Sequence, residues 1–101
     1  MRLWYRETPV GRLADVFQSD GTWYATVTVS VADERLAGFI AFCMDWNERQ
    51  KRDDPPDADE FDRYADLIEG GWYVTLDDGQ RMDIDEAPVF FTGGEVTWLA
   101  R

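Results

Sequence analysis

The spacing of the apolar residues changes twice along this chain, from every second residue to every third or fourth residue and back. From Trp23 to Val31 the apolar positions alternate with Tyr24 and the Thr and Ser residues after it. From Leu36 to Trp46 the apolar residues follow the i, i+3, i+4, i+7 rule instead. The first pattern is typical of a strand with one buried face, and the second is typical of a helix. The chain therefore combines strands with helices, which predicts an α+β fold with an antiparallel sheet.

The strands lie on both sides of the helical region, and turn-forming residues separate them. Pro9 and Gly11 interrupt the pattern after the first strand, and Asp20-Gly21 is a hairpin signal between the second and third. We expect six strands, near 2–6, 12–18, 22–31, 71–77, 80–86 and 95–100, with a less regular stretch over 87–92.

Two later hairpins allow their registers to be predicted. With a two-residue loop at Asp77-Asp78-Gly79, apolar Val74 would share a face with acidic residues. A three-residue loop with Gly79 in the left-handed region places Val74 beside Met82 instead, and we expect this register because it buries apolar against apolar. Gly93-Gly94 forms the second turn, which is predicted to pair Phe91 with Val96 and Val89 with Trp98.

Two central helices are expected, over 33–52 and 57–69, packed on one face of the sheet. Asp33 is the predicted N-cap of the first, and Pro55-Pro56 ends it because the residue before a proline avoids the helical region. Asp57 is the predicted N-cap of the second, with Glu60 completing a capping box. On a helical projection one side of the second helix is apolar, with Phe61, Tyr64, Ala65 and Ile68, and the other is acidic, with Asp59, Asp62, Asp66 and Glu69.

The length of 101 residues predicts one α+β domain over 1–101, and the aromatic content of 15% predicts that it folds despite its charge. No apolar run approaches the ~18 residues that a membrane span requires. The first residues do not resemble a secretory signal. We therefore expect a cytoplasmic protein with no membrane partner.

The scarcity of histidine and cysteine excludes several kinds of enzyme. Histidine is absent and Cys43 is the only cysteine, so no Ser-His-Asp or Cys-His arrangement can form. Cys43 lies on the apolar stripe of the first helix, where a thiol is usually inert packing. Asp77-Asp78-Gly79 resembles a fragment of a calcium loop but lacks the remaining ligand spacing, so turn chemistry explains it. We expect that the protein binds no cofactor or metal and that it is not an enzyme.

The negative charge is concentrated in one segment, which we call the acidic segment, residues 53–86. The chain has twenty-one acidic and ten basic residues; the segment holds thirteen of the acidic residues and two of the basic ones, Arg63 and Arg81. The remainder of the chain is electrically balanced, so the whole excess of eleven negative charges lies within 53–86. A salt-adapted surface would spread its acids more evenly. A field of one sign over a small area selects a partner of opposite sign.

A basic protein is therefore the predicted partner. Nucleic acid is not expected to bind directly, because an acidic surface repels phosphate. Arg2, Trp4 and Arg6 share one strand face, but an edge strand commonly carries such residues for packing and solvation. The predicted binding residues combine carboxylates of the second helix and of the following hairpin with one aromatic anchor: Asp59, Asp62, Asp66, Glu69, Tyr73, Asp77, Asp78, Asp83 and Asp85.

The general profile of a small, acidic domain without histidine resembles that of toxin-neutralising immunity proteins. This resemblance involves no specific motif and carries no residue over. It implies a protein that occludes a basic partner, such as a nuclease-type toxin, or that mimics nucleic acid. A non-inhibitory interaction or structural module of a larger assembly is the alternative. An enzyme that uses paired carboxylates as acid and base is the third hypothesis.

Overall fold

In the part of the chain that the structure describes, the fold is a curled, seven-stranded antiparallel sheet with one main helix, which confirms the α+β class. The structure is a computed structural model that describes residues 1–54 and 58–100. The sheet order is β5-β4-β1-β2-β3-β7-β6. The strands are β1 (Arg2–Tyr5), β2 (Thr8–Ser19), β3 (Thr22–Val29), β4 (Trp72–Thr75), β5 (Arg81–Asp83), β6 (Val89–Phe90) and β7 (Glu95–Leu99). The helices between β3 and β4 are α1 (Glu34–Lys51), α2 (Ala58–Asp62) and α3 (Ala65–Ile68).

Strand β2 is longer than predicted, because Pro9 and Gly11 do not interrupt it. Pro9 pairs with Trp4 at an irregularity of the β1–β2 ladder, where a missing N–H is tolerated. Gly11 is buried opposite Val29, and a Cβ there would lie 2.5 Å from the Thr28 carbonyl oxygen. The glycine thus permits close contact between two strands and does not mark a turn.

Two predicted turns are confirmed. Ser19 pairs with Thr22 across Asp20-Gly21, and both turn residues have positive φ, at 50° and 82°. That conformation matches the twist of the flanking strands. In the β4–β5 hairpin Val74 pairs with Met82, and Gly79 has φ of 89°, as the three-residue loop requires.

The predicted register of the Gly93-Gly94 hairpin is wrong by one residue. Phe90 pairs with Val96 and Val89 with Thr97, because the loop contains Thr92 as well as both glycines. The Phe91 N–H donates to the Glu95 carbonyl at 2.9 Å and closes this longer loop. The shift buries Phe90 completely and leaves Val89 exposed on the outer face of the sheet.

The first helix forms as predicted, with Asp33 as its N-cap. The Asp33 carboxylate accepts a hydrogen bond from the Leu36 N–H at 3.0 Å, which satisfies one of the donors that a helix start leaves free. Leu36, Phe39 and Ile40 are its buried residues. Pro55-Pro56 and Asp57, the predicted terminator and the predicted second cap, lie outside the described residues.

The predicted continuous helix over 57–69 is instead two short helices, α2 and α3, separated by Arg63 and Tyr64. Tyr64 has φ of −113° and ψ of 15°, which is not helical. Leu67 is 3% exposed although it lay off the predicted apolar side, while Phe61 is 39% exposed. With the break at Tyr64, Leu67 of α3 lies in the core, and its burial is favourable because it removes apolar surface from water.

The core lies between the concave side of the sheet and α1. Phe39 of α1 contacts Trp72 of β4, with ring centroids 6.0 Å apart, and the Asn47 amide donates to the Phe90 carbonyl at 2.7 Å. The sheet curls far enough for Ile84, just after β5, to form a bridge with Ala100, just after β7. Among the described helices, none combines the length and apolar character that crossing a bilayer would require.

Candidate functional site

The carboxylates of the acidic segment are on the surface. Among the described residues of 53–86, Glu60 is half-buried and every other acidic side chain is exposed. Cationic groups nevertheless lie within hydrogen-bonding distance of Asp66, Asp77 and Asp83. Some of the predicted binding residues therefore already have a partner within the molecule, although their side chains are exposed.

Asp66 belongs to the engaged group. The Arg35 guanidinium donates to its two oxygens at 2.7 and 2.6 Å and to the Arg63 carbonyl at 2.9 Å. This hydrogen-bonded pair lowers the pKa of Asp66 to about 2. A planar guanidinium fits a carboxylate with two parallel bonds, so Asp66 fastens α3 to α1 and is not a free carboxylate for a partner.

The hairpin acids are also partly engaged. The N-terminal ammonium donates to Asp77 at 2.8 Å, and Arg81 donates to Asp83 at 2.6 Å. Asp78 accepts from the Gln80 N–H at 3.0 Å and so belongs to the turn itself. These groups are exposed, and exposed pairs contribute little free energy. A partner could displace them at small cost.

Tyr73, the predicted aromatic anchor, lies within a ladder of side chains on the outer sheet face. Its ring is parallel to that of Trp4, with centroids 6.0 Å apart, and the Arg81 guanidinium lies 3.8 Å from its centroid. Its hydroxyl donates to the Arg6 carbonyl at 2.7 Å. Tyr73 is half-buried by these contacts, so the cation that would cover it from a partner is already supplied by Arg81.

The fold does not gather all the predicted residues in one place. Glu69 lies three residues before the start of β4, whereas Asp77 and Asp78 lie beyond the other end of that strand, at the hairpin tip. Asp83 and Asp85 are on the returning side of the hairpin, and Asp59 and Asp62 are on α2. Within the part of the chain that the structure describes, Asp62 and Glu69 are exposed and no cation lies within 4.0 Å of either.

Two clefts flank the helices. One of 540 Å³ is lined by residues that include Tyr5 and Arg6 and the ion-paired Arg35 and Asp66. The other, of 230 Å³, is lined in part by aromatic side chains of α1 and α2 and includes Cys43. Burial raises the pKa of the Cys43 thiol to about 12, so this sulfur is a poor nucleophile. Within residues 1–54 and 58–100, no cluster of acidic or cysteine side chains has the geometry of a metal site.

A row of side chains across the outer face of four strands was not predicted from the sequence. Phe17, Tyr24, Thr97 and Val89 are successive partners on β2, β3, β7 and β6. Phe17 is 57% exposed, Tyr24 36% and Val89 42%, and the Phe17 and Tyr24 rings stack at 4.9 Å. We call these four residues the outer row. The Asp20-Gly21 turn would have revealed its first pair, since a two-residue loop places Phe17 opposite Tyr24.

No family model, no curated protein and no solved structure matches the chain.

Proposed function

We propose that this protein binds a basic protein partner through its acidic surface and occludes the partner's cationic site. The observation that carries the proposal is the segregation of charge: residues 53–86 hold the entire excess of eleven negative charges. A patch of one sign raises the rate of encounter with a partner of the opposite sign and disfavours other partners. A nuclease-type toxin, whose active site must attract phosphate, is a partner of suitable chemistry.

The contacts within the molecule refine which carboxylates serve this role. Asp62 and Glu69 are exposed, with no cation within 4.0 Å among the described residues, so they are the foremost candidates. Asp77 and Asp83 can exchange exposed intramolecular pairs for intermolecular ones at small cost. Asp66 instead supports the shape of the site through Arg35. We infer a binding role for the acidic segment and no catalytic role for the protein.

The first experiment is affinity capture from the source cell with the purified protein as bait, read by mass spectrometry. The expected result is enrichment of a basic protein that elutes as the salt concentration rises, since exposed charges are screened beyond ~8 Å at physiological ionic strength. If the captured protein has an activity such as nuclease cleavage, adding the bait should inhibit it. Capture without inhibition would favour the non-inhibitory interaction module, and capture of acidic or neutral proteins alone would contradict the proposal.

A further inference from the structure

The outer row exposes neighbouring apolar side chains, and two of them form a stacked aromatic pair. Three of its four side chains, Phe17, Tyr24 and Val89, are aromatic or apolar, and half-buried Thr97 lies between Tyr24 and Val89. Leu99, 58% exposed, lies two residues beyond Thr97 on the same face. Contiguous exposed apolar side chains mark interaction sites more often than isolated ones do. A stacked Phe17–Tyr24 pair is also a ready anchor, because aromatic residues dominate interface energetics.

A bulge in β2 is responsible for the exposure of Phe17. The pairing of β2 with β3 shifts between Ala14 and Phe17, and Asp15 within the shift has φ of 54°. Strict alternation from buried Leu13 would have turned Phe17 inward, so the extra residue re-aims its ring toward solvent. Asp is one of the few residues other than glycine that adopt the left-handed conformation, and here Asp15 forms part of a bulge that exposes an aromatic side chain instead of burying it.

Acidic side chains border the row along both directions of the strands. On one side a depression of 220 Å³ holds Phe17 and Tyr24 together with Asp15 and Glu95. On the other side a depression of 390 Å³ holds Val89 and Leu99 together with Asp85 and Glu86. An apolar centre within a charged rim is the usual anatomy of a protein interface.

We propose that the outer row is the docking site for a protein segment that carries an aromatic or aliphatic side chain between Arg or Lys residues. The apolar side chain would cover Phe17 and Tyr24, and the cations would meet the two acidic borders. Charge complementarity excludes a second copy of this chain, because two copies would bring acidic rims of like charge together. This inference rests on the proposed function, because it takes the partner to be basic. It adds an apolar contact that stabilises the complex with such a partner.

The test uses synthetic peptides of equal length and isotope-labelled protein observed by NMR. One peptide has Trp flanked by Lys, a second has Trp flanked by Glu, and a third has Ser flanked by Lys. The Lys-flanked Trp peptide should displace the amide signals of Phe17, Tyr24, Thr97 and Val89 at lower concentration than either other peptide. Equal binding of the Glu-flanked peptide, displacements confined to α2 and α3, or no displacement at millimolar peptide would each overturn the proposal.

Matched variants sharpen the test. Phe17→Ser and Tyr24→Ser should each weaken binding of the Lys-flanked Trp peptide by about tenfold. Val29→Ser is the control, since Val29 lies on the same strand as Tyr24 with similar exposure, 37% against 36%, but on its other face. An equal loss in the control, or concentration-dependent displacements at the row without peptide, would contradict the assignment.

Failure of this proposal can be distinguished from failure of the proposed function. If a basic partner is captured and binds Phe17→Ser and Tyr24→Ser as tightly as wild type, the docking site is wrong while the proposed function stands. If no basic partner is captured although the Lys-flanked Trp peptide binds the row, the docking chemistry stands and the proposed function fails.

Discussion

Arg35 holds Asp66 with two hydrogen bonds, of 2.7 and 2.6 Å, between residues that are 31 positions apart in the chain. The same guanidinium reaches the Arg63 carbonyl at 2.9 Å, in the break between α2 and α3. One side chain of α1 therefore contacts both the break between α2 and α3 and the first turn of α3.

The first prediction concerns the titration of Asp66. NMR should give a pKa of about 2 for its carboxyl, and Arg35→Gln should raise it toward the ordinary value of 3.8. Because the folded-state pKa is the lower one, the pair stabilises the fold above about pH 4 and loses that contribution as the pH falls toward 2. A carboxyl that titrates identically in both proteins would show that the ion pair does not persist in solution.

The second prediction compares two buried tryptophans. The Trp72 indole N–H donates to the Leu67 carbonyl, whereas that of Trp98 has no partner among the described residues. Both are nearly fully buried, so replacement by Phe removes similar apolar area. Trp72→Phe should cost about 1–2 kcal/mol more free energy of unfolding than Trp98→Phe, because only it abandons a buried hydrogen bond. Urea denaturation measures both, and equal losses would contradict the assignment.

The third prediction uses three glycines with different surroundings. Gly79→Ala should destabilise by about 1 kcal/mol, since its φ of 89° is left-handed although space is free. Gly11→Ala should cost about 1–3 kcal/mol, because the Cβ would lie 2.5 Å from a backbone oxygen of β3. Gly38→Ala in α1 should instead stabilise by up to about 1 kcal/mol, as its Cβ meets only ordinary contacts. Thermal unfolding that ranks the three otherwise would contradict the described backbone.

The fourth prediction concerns the Cys43 thiol. Burial raises its pKa to about 12, so little thiolate forms at pH 8. A thiol reagent should label the native protein far more slowly than the same protein in denaturant, as followed by mass spectrometry. Equal rates would mean that the face of α1 bearing Cys43 opens readily to solvent.

The fifth prediction tests the acidic segment with the captured partner. Replacing Asp62, Glu69 and Glu86 by Asn or Gln should slow association several-fold at low salt, and less at high salt, because exposed charges act mainly on the encounter. The control variant changes Glu7, Asp20 and Glu48 in the same way. It removes an equal charge from outside the acidic segment and should slow association much less. Stopped-flow measurement gives the association rates of both variants at two salt concentrations. Equal slowing by the two variants would mean that the acidic segment has no specific role in binding.

The sequence predicted those elements whose local chemistry agrees with their tertiary surroundings. Asp33 caps α1 because its carboxylate accepts a hydrogen bond from Leu36, three positions away. Gly79 belongs to the three-residue loop that connects β4 to β5. Such short-range interactions can be inferred from neighbouring residues alone. The same holds for the buried face of β3 at Ala25 and Val27.

The misjudged elements depend on contacts between distant residues. The break near Tyr64 follows from the fit of Leu67 into the core and of the Tyr64 ring against Phe39, 5.4 Å away. The engagement of Asp66 depends equally on Arg35 of a different helix. A helical projection of residues 57–69 contains no information about α1, so neither the contact of Tyr64 with Phe39 nor that of Asp66 with Arg35 could be predicted from it.

The placement of β1 as an interior strand of the sheet has a consequence for how the chain folds. One neighbour of β1 is β2, which follows it immediately, and the other is β4, where Thr75 accepts a hydrogen bond from Trp4 across 71 residues of chain. Closing so long a loop is entropically costly before its contacts form, and folding rates fall as such distant pairings dominate. During synthesis one edge of β1 waits unpaired until β4 has left the ribosome, so a ribosome-bound chain lacking β4 should be a prime substrate for chaperones.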